Sequence, residues 1–186
     1  YHDPRRPLRL RLGAELPRFT LAYETYGRLN ADGSNAILLF HAMTGCQHAA
    51  GINPSVPGLD GRWTDELHEG WWDGFIGPGR ALDTRKFCVI CANYLGGCYG
   101  STGPASINPE TGRPWGPTFP VLRMSDIVDS QVKLLDHLGV RRLHAVIGAS
   151  IGGFLCQVFA TRYPERVRIV VPIGTGFLAL KEKTRW

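Results

Sequence analysis

A serine flanked by glycines lies between two apolar segments of the sequence. The run Gly148-Ala149-Ser150-Ile151-Gly152 follows residues 143–147 directly and leads into residues 154–160. A strand, a sharp turn that carries serine and then a helix form a nucleophile elbow, which exposes the hydroxyl at the helix N-terminus. Small residues on either side let the strand and the helix pass close to each other. The spacing therefore predicts that Ser150 is a catalytic nucleophile.

A second segment could supply the hydrogen-bond donors that serine chemistry needs. His41-Ala42-Met43-Thr44-Gly45 comes directly after the apolar run 36–40. Acyl transfer through serine forms an oxyanion that two backbone N–H groups stabilise, one after the nucleophile and one in a loop after an earlier strand. These positions predict an oxyanion hole made by the amides of Met43 and Ile151. We expect His41 to shape the loop, because the catalytic base of this arrangement follows the serine in the chain.

Alternating strands and helices are predicted around these residues. Apolar and β-branched runs predict strands at residues 19–26, 36–40, 87–93, 143–147 and 167–173. A first helix, with apolar residues at three-to-four spacing, has Ser125 or Met124 at its cap position and stops before Gly139. A second helix leads from the serine turn to Tyr163. We expect the first two strands to form an antiparallel edge and the others a mostly parallel α/β sheet.

The composition is typical of a soluble globular domain. The chain has 186 residues, of which 44% are hydrophobic and 20% are charged, and this length is sufficient for a sizeable core. No apolar stretch approaches the roughly 18 residues that span a bilayer, and no apolar segment follows the first residues as it would in a signal peptide. We therefore expect no membrane association and a cytoplasmic location.

The net charge of +5 comes mainly from scattered arginines. Basic residues spread in this way are typical of a solvated surface, so we expect no nucleic-acid partner. A positive field would instead favour an anionic acyl donor such as a coenzyme A thioester.

Five cysteines, an odd number, are dispersed along the chain and favour reduced thiols. Cys88 and Cys91 have the spacing of a metal or redox pair, but side chains three residues apart in a strand point to opposite faces. Cys46 and His48 have no second pair of ligands at metal spacing. We therefore expect no metal site.

Two nucleotide-binding motifs can be set aside. Gly174-x-Gly176 after residues 167–173 imitates the dinucleotide fingerprint, but Pro172 lies inside that strand and no acidic residue follows about twenty positions later. The sequence also contains no Gly-Lys-Ser/Thr phosphate loop. Neither dinucleotide binding nor nucleotide hydrolysis is supported.

Five motifs follow one another along the chain between about residues 20 and 173. They are Tyr23-Glu24-Thr25-Tyr26-Gly27-x-Leu29-Asn30, His41-Ala42-Met43-Thr44-Gly45, Gly70-Trp71-Trp72-Asp73-Gly74-x-Ile76-Gly77-Pro78-Gly79, Asn93-Tyr94-Leu95-Gly96-Gly97-Cys98-x-Gly100-Ser101-Thr102-Gly103-Pro104 and Gly148-Ala149-Ser150-Ile151-Gly152-Gly153. In this order they resemble the motifs of one family, the homoserine O-acetyltransferases of α/β-hydrolase fold. The resemblance implies that fold, with a mostly parallel sheet and an antiparallel N-terminal edge.

The resemblance implies transfer of an acetyl group from acetyl-CoA to the hydroxyl of L-homoserine, in methionine biosynthesis. Ser150 would take the acyl group, coenzyme A would leave, and homoserine would attack the ester. Acetyl-CoA is then a co-substrate, and no cofactor is expected. The loops around Trp71, Trp72 and residues 94–104 are candidates for the pocket wall, whereas the motifs assign no substrate-binding residue.

The same motifs leave several alternatives open. Related enzymes use succinyl-CoA or acylate serine in place of homoserine. A hydrolase of the same fold would use water as the acceptor and act as an esterase. A noncatalytic remnant would retain only a binding surface.

The chain departs from the family after the serine. No aspartate or histidine follows Ser150, the last histidine is His144, and the later carboxylates are Glu165 and Glu182. We therefore expect residues 1–186 to be the N-terminal part of an α/β-hydrolase core domain, without the cap, a substrate-binding arginine and the other triad members. Low or no turnover is expected of these residues alone. Family members commonly form dimers through cap elements, which leaves a homodimer open.

Overall fold

The computed structural model describes residues 7–56, 59 and 61–176. The basic tail at residues 181–186 lies outside the described residues. The described part contains nine strands and two α-helices, joined by loops and short 3₁₀ turns: β1 (Leu8–Arg9), β2 (Glu15–Leu16), β3 (Tyr23–Tyr26), β4 (Ala36–Phe40), β5 (Ile76–Gly77), β6 (Leu82–Asp83), β7 (Cys88–Ala92), α1 (Met124–His137), β8 (Leu143–Ala149), α2 (Ile151–Arg162) and β9 (Val167–Ile173).

A five-stranded sheet in the order β3-β7-β4-β8-β9 forms the centre of the fold. The strands from β7 to β9 run parallel, and β3 pairs antiparallel with β7. Every residue of β4 and of β7 is buried, as expected for parallel strands that are covered on both faces. The predicted mostly parallel sheet with an antiparallel N-terminal edge is confirmed.

The predicted pairing of the first two strands is wrong. The antiparallel edge strand β3 pairs with β7, and β4 lies in the middle of the sheet between β7 and β8. Its continuous apolar sequence suits this central place, because both of its faces are buried. The pairing between β3 and β7 joins residues more than sixty positions apart, which no local pattern records.

The strand predicted at residues 19–26 is shorter in the structure, where β3 spans Tyr23–Tyr26. Residues 19–22 leave the sheet and bond instead to the loop after β7. The Thr102 N–H donates to the Thr20 carbonyl (2.9 Å), and the Ala22 N–H donates to the Ser101 hydroxyl (3.1 Å). The loop thus provides the hydrogen-bond partners for backbone groups of this segment that a neighbouring strand would otherwise provide.

Both α-helices pack on one face of the sheet and bury the larger apolar core there. Cys88 belongs to this core, whereas Cys91 belongs to a smaller one on the opposite face. The two thiols therefore point apart, as predicted. Burial raises the pKa of the Cys156 thiol, on α2, to about 12. All five cysteines are free, and in the part of the chain that the structure describes no cluster of His, Cys, Asp and Glu could hold a metal ion.

The cap of α1 differs from the prediction. Arg123 precedes the first helical residue, Met124, and its N–H donates to the Asp126 carboxylate (2.7 Å). Ser125 lies inside the first turn. The same carboxylate accepts the Arg11 N–H (2.8 Å), so the acceptor that caps the helix also fastens the N-terminal segment to it.

Among the described residues, strand β9 is the last strand on one side of the sheet, and several of its apolar side chains are exposed. Ile169 and Ile173 are 47% and 41% exposed, and Val170 is also exposed. In the described ranges, no helix is long and apolar enough to cross a membrane.

Candidate active site

Ser150 occupies a strained turn between β8 and α2. Its φ is +55° and its ψ is −119°, and it is the one non-glycine residue with positive φ among those that the structure describes. Such a conformation costs about 1–3 kcal/mol and persists only where surrounding contacts fix it. The Ser150 N–H donates to the Ile173 carbonyl (3.0 Å), and the Ser150 carbonyl accepts the Gly153 N–H (3.0 Å). The residue is exposed, as the nucleophile-elbow pattern predicts.

Two glycines let the turn approach the centre of the sheet. A Cβ on Gly148 would overlap the Gly152 carbonyl, and a Cβ on Gly152 would overlap the Phe40 carbonyl and lie 2.9 Å from that of His41. Real Cβ atoms do not approach backbone oxygens this closely, so neither position accepts a side chain without a shift of backbone. The start of α2 is therefore pressed against the end of β4.

The loop 41–45 and the serine turn begin at the carboxyl ends of neighbouring parallel strands. Phe40, the last residue of β4, pairs with Gly148 of β8, so the segments that follow these two parallel strands start side by side. Neither the Met43 nor the Ile151 backbone N–H donates a hydrogen bond to any described residue. Ile151 is also the first residue of α2, where the helix dipole favours negative charge.

His41 is enclosed in the protein and holds the loop. It is 2% exposed, and burial lowers the pKa of its imidazole to about 4, so the ring is neutral at pH 7. Its Nδ1–H donates to the Ala42 carbonyl (2.7 Å), whereas Nε2 has no partner among the described residues. His41 forms no hydrogen bond with Ser150 in this part of the chain, which favours the predicted loop-shaping role over that of a base.

A buried polar network fixes the segment that follows the loop. His48 is 2% exposed, and its Nδ1 lies 2.8 Å from the Glu24 carboxylate. Its Nε2 lies 3.1 Å from the Gly51 carbonyl and 3.0 Å from that of His68. Acceptors therefore face both ring nitrogens, the carboxylate at Nδ1 and two backbone carbonyls at Nε2. The Tyr26 hydroxyl donates to the same carboxylate (2.7 Å).

Sequence reasoning did not assign this network a role. Glu24 and Tyr26 lie two apart in β3 and so share a face, which was the available local signal. Their partner His48 is more than twenty residues away and comes from a loop.

Charge loss at Glu24 is expected to destabilise the fold. Glu24→Gln would remove the carboxylate that accepts from the Tyr26 hydroxyl and lies against the buried His48 ring, so we expect the free energy of unfolding to fall by about 2–3 kcal/mol. Urea unfolding followed by tryptophan fluorescence measures this. The matched control is Glu15→Gln, since Glu15 pairs at 3.5 Å with an Arg9 side chain that is 90% exposed, and such surface pairs contribute about 0–1 kcal/mol. Equal effects of the two substitutions would contradict the assignment.

The aromatic residues predicted to wall a pocket lie beside the loop. Trp71 and Trp72 are half-buried and pack against the smaller core. The Trp71 indole N–H donates to the Cys46 carbonyl (2.9 Å), three residues beyond Met43. Tyr94 stacks on the His41 ring. None of the three has a described contact with Ser150.

A surface cavity of about 290 Å³ lies between the N-terminal segment and the loop after β7. Its lining does not include Ser150, Met43 or Ile151, and sequence reasoning did not single it out. The lining residues are Arg18, Phe19, Thr20, Gly100, Thr102, Ser106, Ile107, Pro109 and Trp115.

A family model described as the alpha/beta hydrolase fold matches residues 35–185, which include the serine turn, the loop 41–45 and the parallel strands. The chain belongs to the alpha/beta hydrolase fold family. The fold expected from the sequence motifs is therefore confirmed, and in this alpha/beta hydrolase fold Ser150 stands at the strand-to-helix turn where such proteins carry a nucleophile.

Curated relatives of the chain carry names that refer to homoserine. The chain is 52% identical over 168 residues to a homoserine O-acetyltransferase of Moorella thermoacetica, with 90% of this chain and 42% of the relative covered. It is 51% identical over 170 residues to a homoserine O-succinyltransferase of Halorhodospira halophila, with 91% and 42% covered. The chain thus spans less than half the length of these relatives.

Solved structures share the same architecture. The homoserine O-acetyltransferase of Bacillus anthracis matches with a TM-score of 0.81 and 36% identity, over 94% of this chain and 46% of that one. Esterase E22 matches with a TM-score of 0.77 and 37% identity, over 90% and 44%. The fold is therefore found in proteins named for transfer and for hydrolysis.

Proposed function

We propose that the protein is an acyltransferase that moves an acetyl group from acetyl-CoA to the hydroxyl of L-homoserine. The observation that carries the proposal is the strained, exposed Ser150 at the N-terminus of α2. The identity of about 52% to relatives named for homoserine O-acylation supports this choice of substrates. The pathway would be methionine biosynthesis, and a cytoplasmic location is part of the same proposal.

The proposed reaction has two halves that use the same hydroxyl. Ser150 Oγ attacks the thioester carbonyl, and the C–S bond to coenzyme A breaks after a tetrahedral intermediate. The homoserine hydroxyl then attacks the acyl-serine ester, which releases O-acetylhomoserine and restores Ser150. In both halves the Met43 and Ile151 N–H groups would donate to the oxyanion, and their lack of another described partner supports this role.

The base that takes the Ser150 proton is not assigned. In this fold it follows the serine, after an acidic residue, and no histidine or aspartate comes after Ser150 in the sequence. Without a base a serine hydroxyl is a weak nucleophile. We therefore expect low or no turnover from these 186 residues alone, and the assays below use the full gene product. We propose no metal or cofactor, and a homodimer stays open.

The acyl donor and the acceptor can be determined by comparing kcat/KM values for alternative substrates. We expect kcat/KM with acetyl-CoA to exceed that with succinyl-CoA by about tenfold or more, because a pocket built for the smaller acyl group would leave the succinyl carboxylate unpaired. Release of coenzyme A at fixed homoserine measures both values. A preference for succinyl-CoA would overturn the donor assignment and leave the acyl-serine step intact. A preference for L-serine over homoserine would likewise overturn the acceptor assignment and leave the acyl-serine step intact.

Hydrolysis is the second candidate function, and the match to esterase E22 favours it. An esterase would pass the acyl group to water, so acetate would form at the same rate with and without homoserine. A transferase would form O-acetylhomoserine in place of acetate once homoserine is added. Product analysis by chromatography separates the two.

A further inference from the structure

Tyr94 makes two contacts with the residue at the base of the loop 41–45. It lies two residues beyond β7 and is 8% exposed. Its ring stacks on the His41 imidazole, with centroids 3.7 Å apart and an angle of 16° between the planes. Its hydroxyl donates to the His41 carbonyl at 2.5 Å. Burial raises the pKa of this hydroxyl well above its usual range, so it stays a neutral donor.

The contacts of His41 determine where the next N–H points. The His41 Nδ1–H donates to the Ala42 carbonyl, and this carbonyl belongs to the same peptide unit as the Met43 N–H. Because that unit is planar and trans, the N–H points away from the carbonyl. Holding the imidazole therefore holds the direction of the Met43 N–H.

The His41 carbonyl is held from a second side. It faces Gly152 of α2, where an added Cβ would lie only 2.9 Å away. The His41 backbone thus lies between the first turn of the nucleophile helix and the Tyr94 hydroxyl. A shift away from Tyr94 would change the distance between the loop and the Ser150 turn.

We propose that Tyr94 is a positioning residue that holds the Met43 N–H in place for the oxyanion through its contacts with His41. The inference rests on the proposed function. Tyr94 acts through His41 and is not assigned a contact with substrate.

Removal of the hydroxyl tests the proposal with the ring retained. For Tyr94→Phe we expect kcat of the full gene product to fall about tenfold with KM for acetyl-CoA within about twofold, since loss of one oxyanion donor outright costs about 10²–10³ in kcat. Tyr94→Leu also removes the ring, and we expect a fall of about a hundredfold. The control is Tyr163→Phe, whose hydroxyl donates to Asp129 (2.8 Å) from the C-terminal end of α2, and its kcat should not change.

Amide hydrogen exchange of peptides that cover residues 41–45 supplies a readout that does not need turnover. Exchange there should rise in Tyr94→Phe and not in Tyr163→Phe. If the parent is active, unchanged kcat and unchanged amide exchange in Tyr94→Phe would overturn the positioning role of Tyr94 and leave the proposed function standing. So would equal losses of kcat in the two tyrosine variants. An inactive parent would refute the proposed function, and the positioning role with it.

Discussion

Replacement of Ser150 by alanine is expected to lower kcat for acyl transfer by about 10⁴-fold or more, equivalent to about 5.5 kcal/mol or more of transition-state stabilisation. The loss is large because both proposed half-reactions pass through the same hydroxyl. Release of coenzyme A from acetyl-CoA in the presence of homoserine measures kcat in the full gene product.

A matched serine controls for the loss of a hydroxyl. Ser130 lies buried in α1, where its hydroxyl donates to the Ile127 carbonyl (2.7 Å). Ser130→Ala should retain parental kcat and lose at most about 1 kcal/mol of stability. A Ser150→Ala protein with parental kcat would exclude Ser150 as the nucleophile.

The backbone strain at Ser150 gives a second measure of the same turn. Glycine adopts positive φ without the steric cost of a side chain. Ser150→Gly should therefore unfold with a free energy about 1 kcal/mol higher than Ser150→Ala, although both are inactive. Equal unfolding free energies would indicate that the turn stores no strain.

Gly152→Ala is expected to have the largest combined effect on stability and activity. The added Cβ would overlap the Phe40 carbonyl and crowd that of His41, so α2 or the end of β4 has to move. Such overpacking costs about 1–3 kcal/mol. Because the same shift would displace the Met43 N–H relative to Ser150, kcat should also fall about 10²-fold, the cost of a misplacement near 1 Å.

Gly74 is the matched control for this substitution. A Cβ added there would meet no atom within 4 Å, and its φ lies outside the left-handed region. Gly74→Ala should shift the unfolding free energy by less than about 0.5 kcal/mol and leave kcat unchanged. Urea unfolding and steady-state kinetics of the two alanine variants decide the matter, and similar results for both would contradict the packing assigned to Gly152.

The sequence predicted the parts of the fold whose signals are local. The run at 36–40 is continuously apolar because β4 is central, and the glycines around Ser150 record the close approach of backbone to backbone. The antiparallel edge was predicted, but its strand was expected to pair with residues 36–40. It pairs with β7 instead, a contact that is long-range in sequence. The cap at Arg123 was missed because its acceptor, Asp126, lies inside the helix and not at the usual cap position.

The residues proposed for the candidate site also have local signals. Ser150 was singled out from its glycine-flanked turn between an apolar run and a helix, and Met43 and Ile151 from their places in the loop after residues 36–40 and directly after the serine. The His41–Tyr94 stack joins segments that follow different strands, and the Glu24–His48 contact joins a strand to a loop. Neither pair has a spacing that a sequence pattern could reveal, and the residues that bind the acyl donor and the acceptor were not predictable either.

The central claim is that the Ser150 hydroxyl carries the acyl group between donor and acceptor. Its most direct test is to mix the full gene product with acetyl-CoA in the absence of homoserine, quench with acid, and locate any modification by peptide mass spectrometry. The account predicts one acetyl group on Ser150, absent from Ser150→Ala and removed when homoserine is added before the quench. An acetyl group on another residue that homoserine removes, or transfer without any acetylated protein, would contradict it.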